Sequence, residues 1–188
     1  MKSISKFFIL AFMASLFASC GGDNKPIPTP VQQQITRTWT ISIRGVAGAT
    51  ITLQETSITL ADIPGVDASN FTSVVFQNSG SNIQITGLKN MDGTVLNSFT
   101  MQVNNNAAVN FGKVTYTPSG PSDFGSDVVQ STNRETTFLS SLFSAYAGKG
   151  KTANLKVTFT PSTDIVAADN VNLVITINGT YNWNTFPQ

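Results

Sequence analysis

The sequence predicts an all-β protein, an antiparallel β-sandwich of immunoglobulin-like or jelly-roll layout with one accessory α-helix. Three observations lead to this prediction. Apolar residues alternate with Thr, Ser and Asn along most of the chain after residue 35. Such alternation is typical of strands with one packed face and one solvated face. Turn-forming residues separate many of the runs, and a single segment has helical spacing instead.

The alternation is clearest in the first and last runs. The first places Trp39, Ile41 and Ile43 on one parity, and the last runs from Val171 to Trp183. Asn178-Gly179 resembles a hairpin turn, but a turn there would oppose apolar and polar side chains on one face. We therefore predict one continuous strand through Gly179.

Shorter apolar runs predict further strands, for about nine in all. These runs are 51–53, 58–60, 74–76, 83–88, 99–103, 109–116 and 155–159. Residues 78–81 and Asp92-Gly93 are good hairpin signals between such runs. The apolar parity shifts between Phe111 and Val114, which predicts a β-bulge at Gly112.

One helix is predicted over residues 133–147. Thr132 and Glu135 have the spacing of a capping box, and apolar residues follow at helical intervals up to Tyr146. Gly148 stands where such a helix would end. This helix would plug one end of the sandwich or cover the edge of a sheet.

The N-terminal segment has the pattern of a secretory signal. Lys2 and Lys6 precede an apolar run of eleven residues, which is too short to span a bilayer. The residues from Leu16 to Cys20 resemble the lipobox of bacterial lipoproteins of the Bacteroidetes type, although Phe17 replaces the usual aliphatic residue. The resemblance implies cleavage after residue 19, lipid attachment at Cys20 and an outer-membrane location. It leaves the choice between the periplasmic and the external face open.

Residues 20–34 are predicted to form the lipidated cysteine and a tether. Pro26, Pro28 and Pro30 favour an extended conformation that would hold the domain, residues 35–188, away from the membrane. Removal of residues 1–19 leaves nine basic and ten acidic residues, so the mature charge is −1. This small charge gives no basic surface for nucleic acid.

The composition argues against catalysis. The 188 residues include no histidine and one cysteine, which excludes Ser-His-Asp and Cys-His sites. The carboxylates Glu55 and Glu135 and the loop pairs Asp123/Asp127 and Asp164/Asp169 form no recognised calcium or glycosidase motif. We expect no catalytic residue, no metal and no cofactor; a carboxylate-based glycosidase is the remaining catalytic alternative, and calcium binding by the loop Asp residues stays open.

Binding is the remaining class of function. Trp39 and Trp183 share parity with aliphatic residues, which favours core packing over a sugar platform. The Asn104–Asn106 triplet favours a turn, and the sequon at Asn178 is interpreted as coincidence. We expect a structural or protein-interaction module of the cell envelope. The alternative is a glycan-binding accessory lipoprotein of a polysaccharide-uptake system.

Overall fold

A computed structural model describes residues 27–59, 71–88, 91, 93–115, 132–148 and 150–185. Pro30–Thr185 forms one compact unit. The described elements are β1 (Thr29–Ser42), β2 (Ile51–Thr59), β3 (Phe71–Thr86), β4 (Val95–Val103), β5 (Val109–Thr115), α1 (Thr132–Tyr146), β6 (Thr152–Pro161), a 3₁₀ turn (Ala167–Asp169) and β7 (Asn172–Thr185).

The strands form two antiparallel sheets that pack together, which confirms the predicted β-sandwich with one helix. Sheet I has the order β1-β7-β3, and sheet II has the order β2-β6-β4-β5. Inward-facing aliphatic and aromatic residues of both sheets, joined by one face of α1, make a single core. The period-two pattern of the sequence therefore describes which side of each strand is buried.

Adjacent strands stay together as they pass from one sheet to the other. The Ile43 N–H donates to the Val171 carbonyl (2.9 Å), and Gly45 and Ile165 exchange two backbone hydrogen bonds beyond it. The Gly48 N–H then reaches the Pro161 carbonyl (2.9 Å), where β2 and β6 begin to pair. Thus β1–β2 and β6–β7 form one long antiparallel ribbon that bends between the sheets.

This ribbon identifies the layout as a jelly roll. A jelly roll winds eight elements so that the first pairs with the eighth, the second with the seventh, the third with the sixth and the fourth with the fifth. Here β1 pairs with β7, β2 with β6 and β4 with β5, and α1 lies against β3. The helix therefore occupies the position of the sixth strand.

The described part of the chain has seven strands rather than the predicted nine, because two strands contain bulges that were predicted as breaks. In β3, Gln77 pairs with Asn178 and Asn82 with Thr176, so residues 78–81 bulge out opposite Ile177. The hairpin predicted at 78–81 is therefore wrong. Likewise, residues 51–59 form the single strand β2 with a register shift between Glu55 and Ile58.

Asn178 of β7 stabilises the bulge at 78–81 through its side chain and its main-chain N–H. The Asn178 Nδ2 donates to the Ser79 carbonyl (2.9 Å), and the Asn178 N–H donates to the Ser81 hydroxyl (2.8 Å). Gly80 takes a left-handed φ of 80°, which suits a glycine. A hydrogen-bond partner 97 residues away along the chain therefore makes this turn-like sequence a bulge within β3.

Two other predictions need correction. Residues 88–95 connect sheet I to sheet II, so the hairpin predicted at Asp92-Gly93 is wrong; Asp92 itself lies outside the described residues. Residues 29–34, predicted as tether, form the start of β1. The extended conformation favoured by proline is close to that of a β-strand, and β7 is long enough to pair with this segment.

Three local predictions agree with the structure. Strand β7 continues through Asn178 and Gly179 without a turn. Gly112 has a φ of 78° and lies at a register shift between β4 and β5, as expected for a glycine bulge. The helix, Thr132–Tyr146, lies at the predicted position and covers a sheet edge.

Candidate interaction edge

The four edge strands of the sandwich differ in how their open backbone groups are protected. Unpaired edges invite addition of another strand, and proteins commonly protect them with bulges, charges or a covering element. In sheet II, β5 has seven residues with a bulge at Gly112, and the Arg134 guanidinium donates to the Asn110 carbonyl (3.0 Å). The other edge of sheet II, β2, is nine residues long and is interrupted by its own bulge.

In sheet I, the edge of β3 is covered by helix α1. The Ile83 N–H donates to the Glu135 carboxylate at 2.6 Å, and the Thr136 hydroxyl donates to Asn78 Oδ1 at 3.1 Å. Burial raises the pKa of Glu135, and the hydrogen bond from Ile83 lowers it by less. A side chain of the helix thus supplies the acceptor that a neighbouring strand would otherwise provide.

Aromatic packing holds α1 in this position. Phe143 lies so close to Gly179 that an added Cβ would come within 2.4 Å of its ring. The Phe143 ring also packs against Phe76, Tyr146 and Tyr181, with centroid distances between 5.7 and 5.8 Å. Gly179 is therefore required for close helix–sheet contact, although its sequence context resembles a turn.

Tyr146 of α1 and Tyr181 of β7 are both buried and lie close together. The hydroxyls of Tyr146 and Tyr181 lie 3.5 Å apart, and Arg37 approaches from β1. Burial raises the pKa of Tyr146, Tyr181 raises it further, and Arg37 opposes both effects. Both phenols are therefore neutral over the physiological range, and their position describes a structural contact between α1 and sheet I.

The edge of β1 differs from the other three. It belongs to a strand of fourteen residues that ends sheet I, and no described strand pairs with its outer side. Because the Ile43 N–H points to Val171 and antiparallel pairs alternate, even-numbered residues direct their N–H and C=O groups to the open side. Pro30 is even-numbered, so its missing N–H costs no sheet hydrogen bond.

The side chains along β1 are polar but almost uncharged. Arg37 is its one ionisable residue, and no proline or lysine follows Pro30. On the outer face, Thr36 bonds to Asn178 (3.3 Å), Thr38 to Thr176 (3.2 Å) and Ser42 to Asn172 (3.2 Å). These cross-strand bonds share one register, so β1 and β7 pair without a register shift from Thr36 to Ser42.

The tryptophans support the core assignment. Trp183 is 8% exposed and meets Phe71 edge-on, with centroids 6.2 Å apart. Trp39 is half-buried and packs edge-on against Tyr146, with centroids 5.3 Å apart. Both rings therefore pack against aromatic side chains of the core.

The predicted polar candidates have structural contacts. Asp164 accepts from the Ala47 N–H (2.8 Å) and Asp169 from the Val166 N–H (2.7 Å), so both stabilise loops. Among the described residues, no group of three carboxylate or cysteine side chains could hold a metal ion. Glu55 lies on β2, and Asp123 and Asp127 lie outside the described residues.

The asparagine predictions also have structural outcomes. Asn104, at φ 52°, turns the chain between β4 and β5 and accepts from the Asn154 N–H (2.7 Å). Asn106 continues that turn through its N–H to the Val103 carbonyl (3.1 Å). Asn178 is 7% exposed, with its amide bonded to the bulge of β3, which agrees with a coincidental sequon.

A shallow pocket lies where β1 meets the 3₁₀ turn. Ser42, Arg44, Ala167 and Asn170 contribute to its lining, and its volume is about 60 Å³. A site for a small organic ligand usually encloses at least about 300 Å³. This pocket has room for only a few water molecules.

The predicted lipid-attachment residue, Cys20, lies outside the described residues. Within the described ranges, none of the helical segments has the length and apolar character needed to cross a bilayer. Comparisons with protein-family models, with curated proteins and with solved structures found no match for this chain.

The sequence analysis did not identify the β1 edge as a candidate site. A sequence pattern could have indicated this edge. A long alternating run with one charge and a proline only at its start is typical of an unprotected edge strand. What could not be known was that β1 would end its sheet while β3 would be covered.

Proposed function

We propose that the protein is a lipid-anchored, non-catalytic interaction module of the outer membrane that receives an extended protein segment at the edge of β1. The observation that carries this proposal is the contrast between the edge of β1, which has no partner strand among the described residues, and three edges that are interrupted by bulges or contacted by α1. An added strand would gain main-chain hydrogen bonds to the outward groups of β1, which is a common mode of peptide recognition.

The side chains along β1, uncharged except for Arg37, set the chemistry of such a segment. Its side chains would lie beside Thr36, Thr38 and Thr40 on the solvated face and beside Ile35 and Trp39 on the other. A segment that alternates uncharged polar and apolar residues fits both faces, because opposed cross-strand pairs then match in character.

Site-specific photo-crosslinking in the intact envelope tests this proposal. A photoreactive residue at Thr38 should give a discrete protein adduct, since this position lies on the open edge. The same residue at Thr176, which hydrogen-bonds to Thr38 from the central strand, is the matched control and should give none. Equal adducts from both positions, or none from either, would contradict the proposal.

The anchor is tested separately. Cells fed an alkyne-bearing fatty acid should label the parent chain, and the Cys20→Ser variant should remain unlabelled. Label that persists in the variant would show that the lipid is attached elsewhere.

Glycan binding is a second candidate, favoured by the nearly charge-free outer face of sheet I. Its strands contain forty-four residues with one charged side chain, Arg37, and Thr, Asn and Gln line the solvated face. Many of these polar groups already bond to one another, as Gln77 does to Thr180 and Asn182 to Ser73. A glycan array probed with the parent chain and with Gln77→Ala tests this candidate: binding that the substitution weakens would support it, and a blank array would exclude it.

A further inference from the structure

The outer face of sheet II differs in charge from the outer face of sheet I. Sheet I has no charged side chain on that face, because Arg37 shares the inward parity of β1. Sheet II places Lys156 of β6 and Lys113 of β5 on its outer face, and both are exposed. Arg134 of α1 lies beside them, since its guanidinium donates to the Asn110 carbonyl (3.0 Å). Three cations therefore border one face of the sandwich.

Acidic groups do not neutralise these cations within the described part of the chain. Lys113 and Lys156 form no ion pair or hydrogen bond there. The strands of sheet II contain one acidic residue, Glu55, which lies opposite a buried position of β6. On α1, the Glu135 carboxylate accepts from the Ile83 N–H of sheet I instead. The positive charge of this face is therefore available to an anionic partner.

Hydrogen-bonding side chains lie between the cations. Thr158 of β6 pairs with Thr100 of β4, and Thr100 pairs with Asn110 of β5, so the three form a row across the sheet. Lys156 lies two residues from this row and pairs with Gln102. Hydroxyl and amide side chains both donate and accept hydrogen bonds, as the hydroxyl groups of sugars do. The face therefore combines cations at its borders with neutral hydrogen-bonding groups at its centre.

The positions of the two lysines indicate a polymeric ligand. Lys156 and Lys113 are two strands apart and several residues apart along the strands, which places their Cα atoms on the order of 15 Å from each other. A ligand that contacts both ammonium groups therefore needs acidic groups at separated positions, with uncharged groups between them. An acidic polysaccharide has this pattern, because charged sugars are joined in a chain that keeps its free hydroxyl groups.

Nucleic acid is also a polyanion, but it fits this face less well. Proteins that bind single strands usually stack the bases on exposed aromatic side chains. The aromatic residues of sheet II, Phe99, Phe111 and Phe159, are all buried. The uncharged row at the centre of the face also matches sugar hydroxyl groups better than a backbone with a phosphate at every nucleotide.

From these observations we propose that the outer face of sheet II binds an acidic polysaccharide, a polymer of sugars that carries carboxylate or sulfate groups. Lys113, Lys156 and Arg134 contact its acidic groups, and Thr100 and Thr158 hydrogen-bond to the hydroxyl groups between them. This surface uses neither the edge of β1 nor the outer face of sheet I, so the inference goes beyond the proposed function and does not depend on it.

Two matched pairs of polymers test the class of ligand. The full-length chain in non-ionic detergent is titrated with polygalacturonate and its fully methyl-esterified form, and with dextran sulfate and unmodified dextran. Microscale thermophoresis measures the dissociation constants. At least one charged polymer should bind, and its neutral counterpart should not. If neither charged polymer binds, or if the neutral forms bind equally well, the inference is wrong.

Charge-removing substitutions locate the site. Lys156→Gln should raise the dissociation constant of the bound polymer about twofold to fivefold, because one exposed ion pair is lost, and adding Lys113→Gln should raise it further. Arg44→Gln is the matched control, since it removes one positive charge from an exposed position between β1 and β2, and it should leave the constant unchanged. Equal effects of Lys156→Gln and Arg44→Gln would contradict the site.

A further probe separates polysaccharide from nucleic acid. Single-stranded DNA, at the same concentration of negative charge, should bind more weakly than the acidic polymer, and tighter binding of DNA would overturn the inference. The edge of β1 takes no part in these titrations. An adduct from Thr38 without binding of any charged polymer would therefore overturn this inference alone and leave the proposed function intact.

Discussion

The two edge strands of sheet I, β1 and β3, are similar in length but differ in what lies beside them. β3 and β1 are both long strands, and both pair with the central strand β7. The β3 edge is covered by α1, whose Glu135 accepts from the Ile83 N–H, whereas the β1 edge has no described neighbour. The contrast shows that a helix completes the jelly roll beside β3, whereas no strand of the described residues lies on the outer side of β1.

The largest expected effect comes from removing Phe143, the residue that packs α1 against sheet I. Phe143→Ala should lower the free energy of unfolding by about 3–5 kcal/mol, because a buried ring against Gly179 is lost. Denaturant unfolding followed by circular dichroism measures the effect. Ser144→Ala, on the exposed side of the same helix, is the control and should stay within about 0.5 kcal/mol.

Proline substitution compares edge and centre directly. Thr176→Pro should destabilise the domain by about 3 kcal/mol, because it removes an N–H from the ladder between β7 and β3. Thr38→Pro should cost less than about 1 kcal/mol, since the Thr38 N–H points to the open side. Both are measured by denaturant unfolding at low protein concentration, so that association does not contribute. Equal losses would mean that the edge of β1 is paired.

Removing the acceptor that covers β3 should have a smaller effect. Glu135→Ala leaves the Ile83 N–H without its partner and should cost about 1–2 kcal/mol. Glu135→Gln keeps a neutral acceptor and should retain most of the stability. If both variants unfold like the parent chain, the hydrogen bond to Ile83 contributes nothing to the cover.

The pH dependence of that contact is the subtlest prediction. Burial raises the pKa of Glu135 above its ordinary value of 4.5, so the folded chain binds this proton more tightly than the unfolded chain. The stability that this raised pKa contributes is therefore fully present below the unfolded pKa and is lost as pH rises through the folded pKa. The free energy of unfolding of the parent minus that of Glu135→Gln should therefore fall as pH rises from about 4 to 7. Unfolding curves of both proteins across this range measure it, and a difference that grows with pH would contradict the assignment.

Much of the local structure was predictable because it depends on near neighbours in the chain. The inward parity of β7, the helix before Gly148 and the bulge at Gly112 all follow from periodicity or from a single glycine. The candidate edge was not predicted, although its residues were. The alternation at Ile35, Trp39 and Ile41 indicates which face of β1 is buried, but it does not indicate which strand lies beside β1.

The sequence by itself determined the fold class, the helix and the buried parity of the strands. Only the tertiary structure decided that residues 78–81 bulge instead of turning, that Glu135 serves β3 and that β1 ends its sheet. Each of these depends on a partner far along the chain, such as Asn178 for Ser81 or Ile83 for Glu135. Residues of these types occur in both turns and bulges, so the long-range hydrogen bonds select between them.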